Sequence, residues 1–302
     1  MRYVLRKAVL DQVPVIEITG SEYINLKNAR NILTNALAIE EKYEIVISNY
    51  LDFEQQIMSI TTSSMIREYI DYSDFFKVRL GLNIKMVNLL TAVRLYTDQL
   101  NQNVVECLSS ISDIKERIKG LFSVEYDSNP YYRFMEALRN YVQHRGIPVH
   151  LAQLYRRKTS LEGDSCLEYS TDVAAVRSFL EEDPKMKKSV LAEIDEKIDL
   201  KAATRSYIES ISRVQESVRG MICKSTNDSR KIIENAHKKY SKEYSETPVG
   251  LIACKLDGNI QVSSVPLLLK WDDIRISLQK QNRKLVNLKK RYASGTVRTH
   301  DE

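Results

Sequence analysis

Proline and glycine are scarce in this 302-residue chain, with 6 of the first and 9 of the second. No proline falls between Pro14 and Pro130 or between Pro184 and Pro248, so nothing in those stretches forbids long helices. The 4 cysteines, Cys107, Cys166, Cys223 and Cys254, stand singly, with no C-x-x-C pair. That excludes a disulfide framework or a zinc finger as the organising element and reads as reduced cytoplasmic thiols in or near the core. No run approaches the roughly 20 uncharged apolar residues of a membrane span. The opening segment "MRYVLRKAVLDQVPVIEITG" is broken by charge and resembles neither a signal peptide nor an anchor. A net charge of +5 permits a polyanionic partner without requiring one.

What is present is helical periodicity. Ala29, Ile32, Leu33, Ala36 and Leu37 recur at three- and four-residue steps and predict a long helix from about Leu26 to Ile60, with one break allowed. Ile84, Val87, Leu90, Val93, Leu100 and Val104 predict a second, beginning near Leu80. A shorter helix to about Leu121 precedes "SVEYDSNP", which reads as a loop. Pro130 suits the first turn of the next helix, Tyr131 to Arg145, which Gly146 and Pro148 end. Beyond His150 the pattern suggests two short strands around Glu162-Gly163-Asp164, then a short helix capped by Ser170 or Thr171 and running to Asp183-Pro184. The apolar series from Leu191 to Val218 predicts one or two further helices. "GLIACKLDGNIQVSSVPLLL" alternates around Asp257-Gly258 and predicts a hairpin, and a last helix is expected from about Leu267 to Tyr292. The fold class is therefore mainly α with a small late β element.

The chemistry-bearing stretch is "RNYVQHRGIPVH", residues 139 to 150, which holds two of the chain's 4 histidines in Arg-x4-His spacing. About 0.3 such matches are expected by chance, and about 0.04 when a polar Asn, Asp or His must follow the Arg. Only Arg139-Asn140…His144 passes that filter; the Arg145/His150 pair crosses a glycine and a proline and reads as coincidence. Residues five apart sit about 140° apart around a helix, so Arg139 and His144 converge only if the arginine reaches around or the helix loosens near Gly146 and Pro148. A histidine can take a proton from a ribose 2′-hydroxyl, an arginine can fork onto phosphate, and Asn140 can orient either. The plainer alternative is that Arg139 pairs with Glu136 three residues back and His144 simply ends its helix.

"RNYVQH" resembles the R-x4-6-H motif of the HEPN superfamily (higher eukaryotes and prokaryotes nucleotide-binding), including the polar residue after the arginine. "NLLTAVRLYTDQL", residues 88 to 100, is similar to a run on the long helix that precedes the motif in some bacterial members. The resemblance covers roughly residues 22 to 155. It implies an antiparallel helical bundle that forms a homodimer, bringing Arg139, Asn140 and His144 to a shared cleft. It also implies metal-independent endoribonuclease activity leaving a 2′,3′-cyclic phosphate, in toxin or phage-defence roles. On this reading residues 1–21 form an extended lead-in, 22–155 the HEPN-like bundle, and 156–302 a helical extension with the hairpin near 249–266. A non-catalytic helical scaffold for dimerisation or partner binding is the competing expectation.

Secondary candidates surround the motif. Tyr126, Tyr131 and Tyr132 could stack on bases, although core packing is the favoured explanation, because 17 tyrosines across the chain make such clusters common. Arg145 is a further candidate RNA contact. The expected last helix carries Arg275, Lys280, Arg283, Lys284, Lys289, Lys290 and Arg291, a basic face on which Arg283 and Lys284 are candidate phosphate contacts. "EEDPKMKK", residues 181 to 188, reads as a mixed-charge helix junction and not as a site. Phosphate-loop, nucleophile-elbow and zinc-helix signatures are missing from the sequence, so no cofactor or metal is expected. The expected partners are RNA, a second copy and a regulatory protein, with no membrane.

Overall fold

The computed structural model describes residues 1–8, 14–108, 111–159, 166–244, 248–258 and 260–293. Eight α-helices and two small antiparallel sheets appear among them. Helix α1 runs unbroken over Gly20–Ser64 and α2 over Tyr72–Cys107. Then come α3 (Ile114–Ser128), α4 (Pro130–His144), α5 (Arg177–Glu181), α6 (Lys188–Ala192), α7 (Leu200–Tyr244) and α8 (Lys270–Gln281). The strands are β1 (Arg2–Lys7), β2 (Ile16–Ile18), β3 (Leu151–Lys158), β4 (Leu167–Val176), β5 (Lys197–Asp199), β6 (Leu251–Asp257) and β7 (Ile260–Pro266). No helix among the described residues is long and apolar enough to cross a membrane.

The chain forms two compact units, one from 1–45, 94–120 and 216–283, the other from 46–93, 121–215 and 284–302. In the first, β2-β1-β6-β7 form one sheet. Its strand residues Leu5, Ile18, Leu251, Ala253 and Val265 share a core with Tyr23, Leu26, Ala29 and Leu33 of α1 and Ile233, Ala236 and Tyr240 of α7. A capping box starts α1: the Thr19 amide donates to Glu22 Oε2 at 2.7 Å, and the Glu22 amide donates to Thr19 Oγ1 at 3.1 Å. The β6–β7 hairpin turns at Gly258, whose φ of +58° is the left-handed conformation that glycine tolerates. Fully buried Glu40 of α1 receives both Nε and Nη2 of Arg219 and the Gln279 amide, so charge satisfies charge where α8 packs.

In the second unit β3-β4-β5 form a three-stranded sheet. Phe53, Leu82, Met86, Phe134, Leu138, Ala175, Leu180, Tyr207 and Ile211 are buried. Asn83 of α2 exchanges two hydrogen bonds with the backbone of Val149, donating to its carbonyl at 3.0 Å and accepting from its amide at 2.8 Å. That single side chain fixes the turn after α4.

Four expectations need correction. "SVEYDS" is the last part of α3 and not a loop, because Pro130 starts a new helix instead of ending a long linker. Ser170 and Thr171 lie within β4, and the following helix is only five residues long with Val176 at its N-cap. The last helix stops at Gln281, where Asn282 leaves helical backbone, and Asn287 adopts a left-handed φ of 56° before a single 3-10 turn. Arg275 on that helix is buried against Asp272, with Nε 2.5 Å from Oδ1, so the basic face is not continuous. The fourth concerns the thiols: Cys107 and Cys254 are buried, but Cys166 and Cys223 are exposed. Burial raises the Cys107 thiol pKa to about 12. The expected turn at Glu162-Gly163-Asp164 lies outside the described residues.

Candidate active site

Asn129 caps α4: its Oδ1 accepts the Tyr131 amide at 3.1 Å, and its Nδ2 donates at 3.0 Å to the hydroxyls of both Ser206 and Ser210. Pro130 follows in the first turn, where its missing N–H is no loss. The helix is amphipathic. Tyr132, Phe134, Met135, Leu138, Arg139 and Tyr141 are buried, while Arg133, Glu136, Ala137, Asn140 and His144 recur at three- and four-residue steps along a cleft. Tyr126 and the segment Asp183–Lys187 complete this cleft of about 460 Å³. The "EEDPKMKK" stretch does join two helices, α5 and α6, and part of it also forms a wall of this cleft.

The backbone stays helical through His144, so Gly146 and Pro148 do not loosen it early enough to turn His144 toward Arg139. Gly146 is favoured for another reason: a Cβ there would meet the Tyr141 hydroxyl oxygen at 2.5 Å, so that ring would have to shift. Asn140 and His144, four apart, are both exposed and line the same cleft. Arg139 faces inward. Its Nη1 lies 2.9 Å from Glu136 Oε2, its Nη2 donates to Asn140 Oδ1 at 3.3 Å, and its buried Nε has no partner. The other Glu136 oxygen accepts the Tyr207 hydroxyl at 2.5 Å. Burial and the Glu136 charge hold the Tyr207 phenol well above its ordinary pKa, so it serves as a hydrogen-bond donor. The structure thus brings together Asn140 and His144 on the cleft, with Arg139 behind them in a Tyr207–Glu136–Arg139–Asn140 chain.

The cations of the cleft are not equally available. Arg133 is held by Glu193 and by the carbonyls of Tyr126 and Asp127. Lys185 and Lys187 are both exposed, and Lys187 donates to the Tyr126 hydroxyl at 3.2 Å. Buried Asp183 accepts the Lys185 amide at 3.1 Å, and Arg145 Nε lies 3.4 Å away. That carboxylate tethers Arg145 beside the cleft mouth.

The remaining candidates separate clearly. Tyr132 is buried with its ring 5.1 Å from that of Tyr207, which makes it core and not a stacking platform. Tyr131 is half-buried, with the Lys289 ammonium 4.2 Å from its ring centre. Arg283 and Lys284 are exposed outside any helix. His150 stacks on Phe179 and accepts the Val176 amide at Nδ1, while Arg145 lies against Asp183. Sequence reasoning placed Glu136 only as an ion-pair partner and Tyr207 only as an apolar position. The Arg139–Glu136 pair at a three-residue spacing was legible in the sequence, whereas the Tyr207 bond to Glu136 has no sequence signal, because 71 residues separate the two.

Comparison of the chain with family models, with curated proteins and with solved structures finds no match.

Proposed function

We propose that this chain is a metal-independent endoribonuclease of the HEPN type, working as a homodimer in a toxin or phage-defence role. The supporting observation is the shared cleft face of Asn140 and His144, with Arg139 linked to Asn140 directly behind them. In the proposed reaction His144 takes the 2′-hydroxyl proton as the 2′-oxygen bonds to phosphorus. The bond to the 5′-oxygen breaks, that oxygen takes the proton back from the His144 imidazolium, and a 2′,3′-cyclic phosphate remains. Negative charge grows on the phosphoryl oxygens during this step. Arg139 meets it by exchanging part of its bond to Glu136 for the phosphate, and Asn140 guides the exchange.

One observation favours a second reading. Arg139 is already paired and almost wholly buried, as a helix built only for partner binding would have it. End-labelled RNA incubated with purified protein in excess EDTA separates the two. Cleavage by wild type and none by His144→Ala establishes the nuclease. No cleavage by either leaves a regulated or inactive bundle and directs the search to partners, and equal cleavage by both points to a contaminant or another site and removes His144 from the mechanism.

A further inference from the structure

Strand β3 is an edge of its sheet, whose order is β3-β4-β5, and it pairs with β4 from Leu151↔Ala174 to Lys158↔Leu167. One step beyond, the Thr159 amide donates to the Cys166 carbonyl at 2.9 Å, which makes Thr159 and Cys166 a hydrogen-bonded pair. Such pairs alternate along an antiparallel ladder, so Leu151, Gln153, Tyr155 and Arg157 direct their backbone groups to β4. The amides and carbonyls of Ala152, Leu154, Arg156 and Lys158 therefore point off the edge. No backbone hydrogen bond among the described residues uses them. An open row of this kind is a template for one more strand.

Two hollows lie along that edge, and Phe75 of α2 lines both. The smaller, about 250 Å³, is at Leu151 and Ala152, with Tyr72 and Phe76 among its walls. The larger, about 650 Å³, is at Leu154, Tyr155 and Arg156, and is also lined by exposed Met65, Ile66 and Ile70 from the turn between α1 and α2. At about 3.3 Å per residue the two are roughly 10 Å apart along β3, within the span of one extended segment. The charge beside them has a sign. Arg67, Arg79 and Arg156 line the hollows against one acid, Glu68. Arg67, Arg156 and Lys158 are exposed and make no ion pair among the described residues, whereas Arg157 is paired with Glu168.

We infer that the β3 edge binds an extended peptide segment of a partner protein, added antiparallel to β3. Acidic residues of the peptide lie opposite Arg156 and Lys158, and apolar residues lie over the two hollows. Antiparallel pairing places the acids N-terminal to the apolar residues in the partner. Backbone bonds to the outward groups of β3 supply affinity, and the hollows and cations select the sequence. A second copy of β3 fits worse. In full antiparallel register it sets Lys158 opposite Leu151 and Arg157 opposite Ala152, so cations meet the smaller apolar hollow.

The test uses the full chain and does not involve RNA cleavage. A phage-displayed library of random octapeptides is panned on it, and enriched sequences are synthesised and titrated by fluorescence anisotropy. Acids ahead of apolar residues are expected, with dissociation constants of about 1–100 μM. Arg156→Glu combined with Lys158→Glu, both at exposed positions, should weaken binding by about tenfold or more, and so should Phe75→Ala. N-methylation of every second peptide amide should abolish binding in one phase and spare it in the other, which side-chain docking alone does not do. Hydrogen exchange at the Leu154 and Arg156 amides should slow in the complex. No enrichment, binding unchanged by the charge reversal, or equal effects of the two methylation phases overturns the proposal. So does a dimer of the free chain that Leu154→Pro dissociates, because that proline removes an outward N–H and its effect assigns the edge to a second copy.

Discussion

Glu136 sits one helical turn before Arg139 and holds its guanidinium at 2.9 Å through one oxygen, while the other receives the Tyr207 hydroxyl at 2.5 Å. A single carboxylate therefore joins α4 to α7 and fixes the arginine of the motif. Replacing it by Gln leaves the Arg139 charge buried without its counterion. The expected loss is about 2–4 kcal/mol in denaturant unfolding, because removing one member of a buried pair costs more than the pair contributes. Tyr207→Phe, which keeps the ring, is expected to cost about 1–2 kcal/mol.

His144 is exposed at the end of α4 and has no comparable structural role. His144→Ala should change unfolding free energy by less than about 0.5 kcal/mol while abolishing RNA cleavage. A large stability change accompanying the loss of cleavage would show that this histidine supports the fold.

The turn after α4 depends on Asn83, which is buried and makes two hydrogen bonds to one backbone residue. Asn83→Ala strands both the carbonyl and the amide of Val149. A loss of about 2–3 kcal/mol is expected, with hydrogen exchange at the Val149 amide rising sharply against the rest of the unit.

Gly146→Ala places a methyl group 2.5 Å from the Tyr141 hydroxyl. About 1–3 kcal/mol of destabilisation is expected from the forced shift. Tyr141→Leu in the same chain should recover part of it, measured as a double-mutant cycle.

Burial, and then the Arg79 charge, lower the His150 pKa from 6.5 to about 4. The neutral ring is the form the fold favours, so the unfolded chain binds the extra proton between those two values. Stability from this residue is full above about pH 6.5 and declines as pH falls toward 4. Urea midpoints for wild type and His150→Asn, measured across that range, should converge at the acid end.

How much was legible in the sequence follows from what periodicity encodes. The long helices were visible because Ala29, Leu33, Ala36 and their neighbours repeat at helical steps, and the hairpin because Asp257-Gly258 interrupts alternation. The boundaries around Ser123–Asn129 and beyond Gln281 were not, since caps and left-handed residues decide them and these are set by single contacts. Of the site, the placing of Asn140 and His144 four apart on one helix could be read directly. The inward turn of Arg139 could not, because it depends on Tyr207 and on the burial of one face of α4. Lys185 and Lys187 reach the cleft only through the path of the chain after β4, and nothing in their own neighbourhood announces it.

Neither compact unit is an unbroken stretch: each draws on three separate parts of the chain, and α1, α2 and α7 each supply residues to both. A cut at any one interhelical loop therefore removes something from each unit and releases neither whole. Truncation at such a loop is expected to leave exposed apolar surface in both units, and an insertion is best accommodated at a surface turn such as Asp257-Gly258.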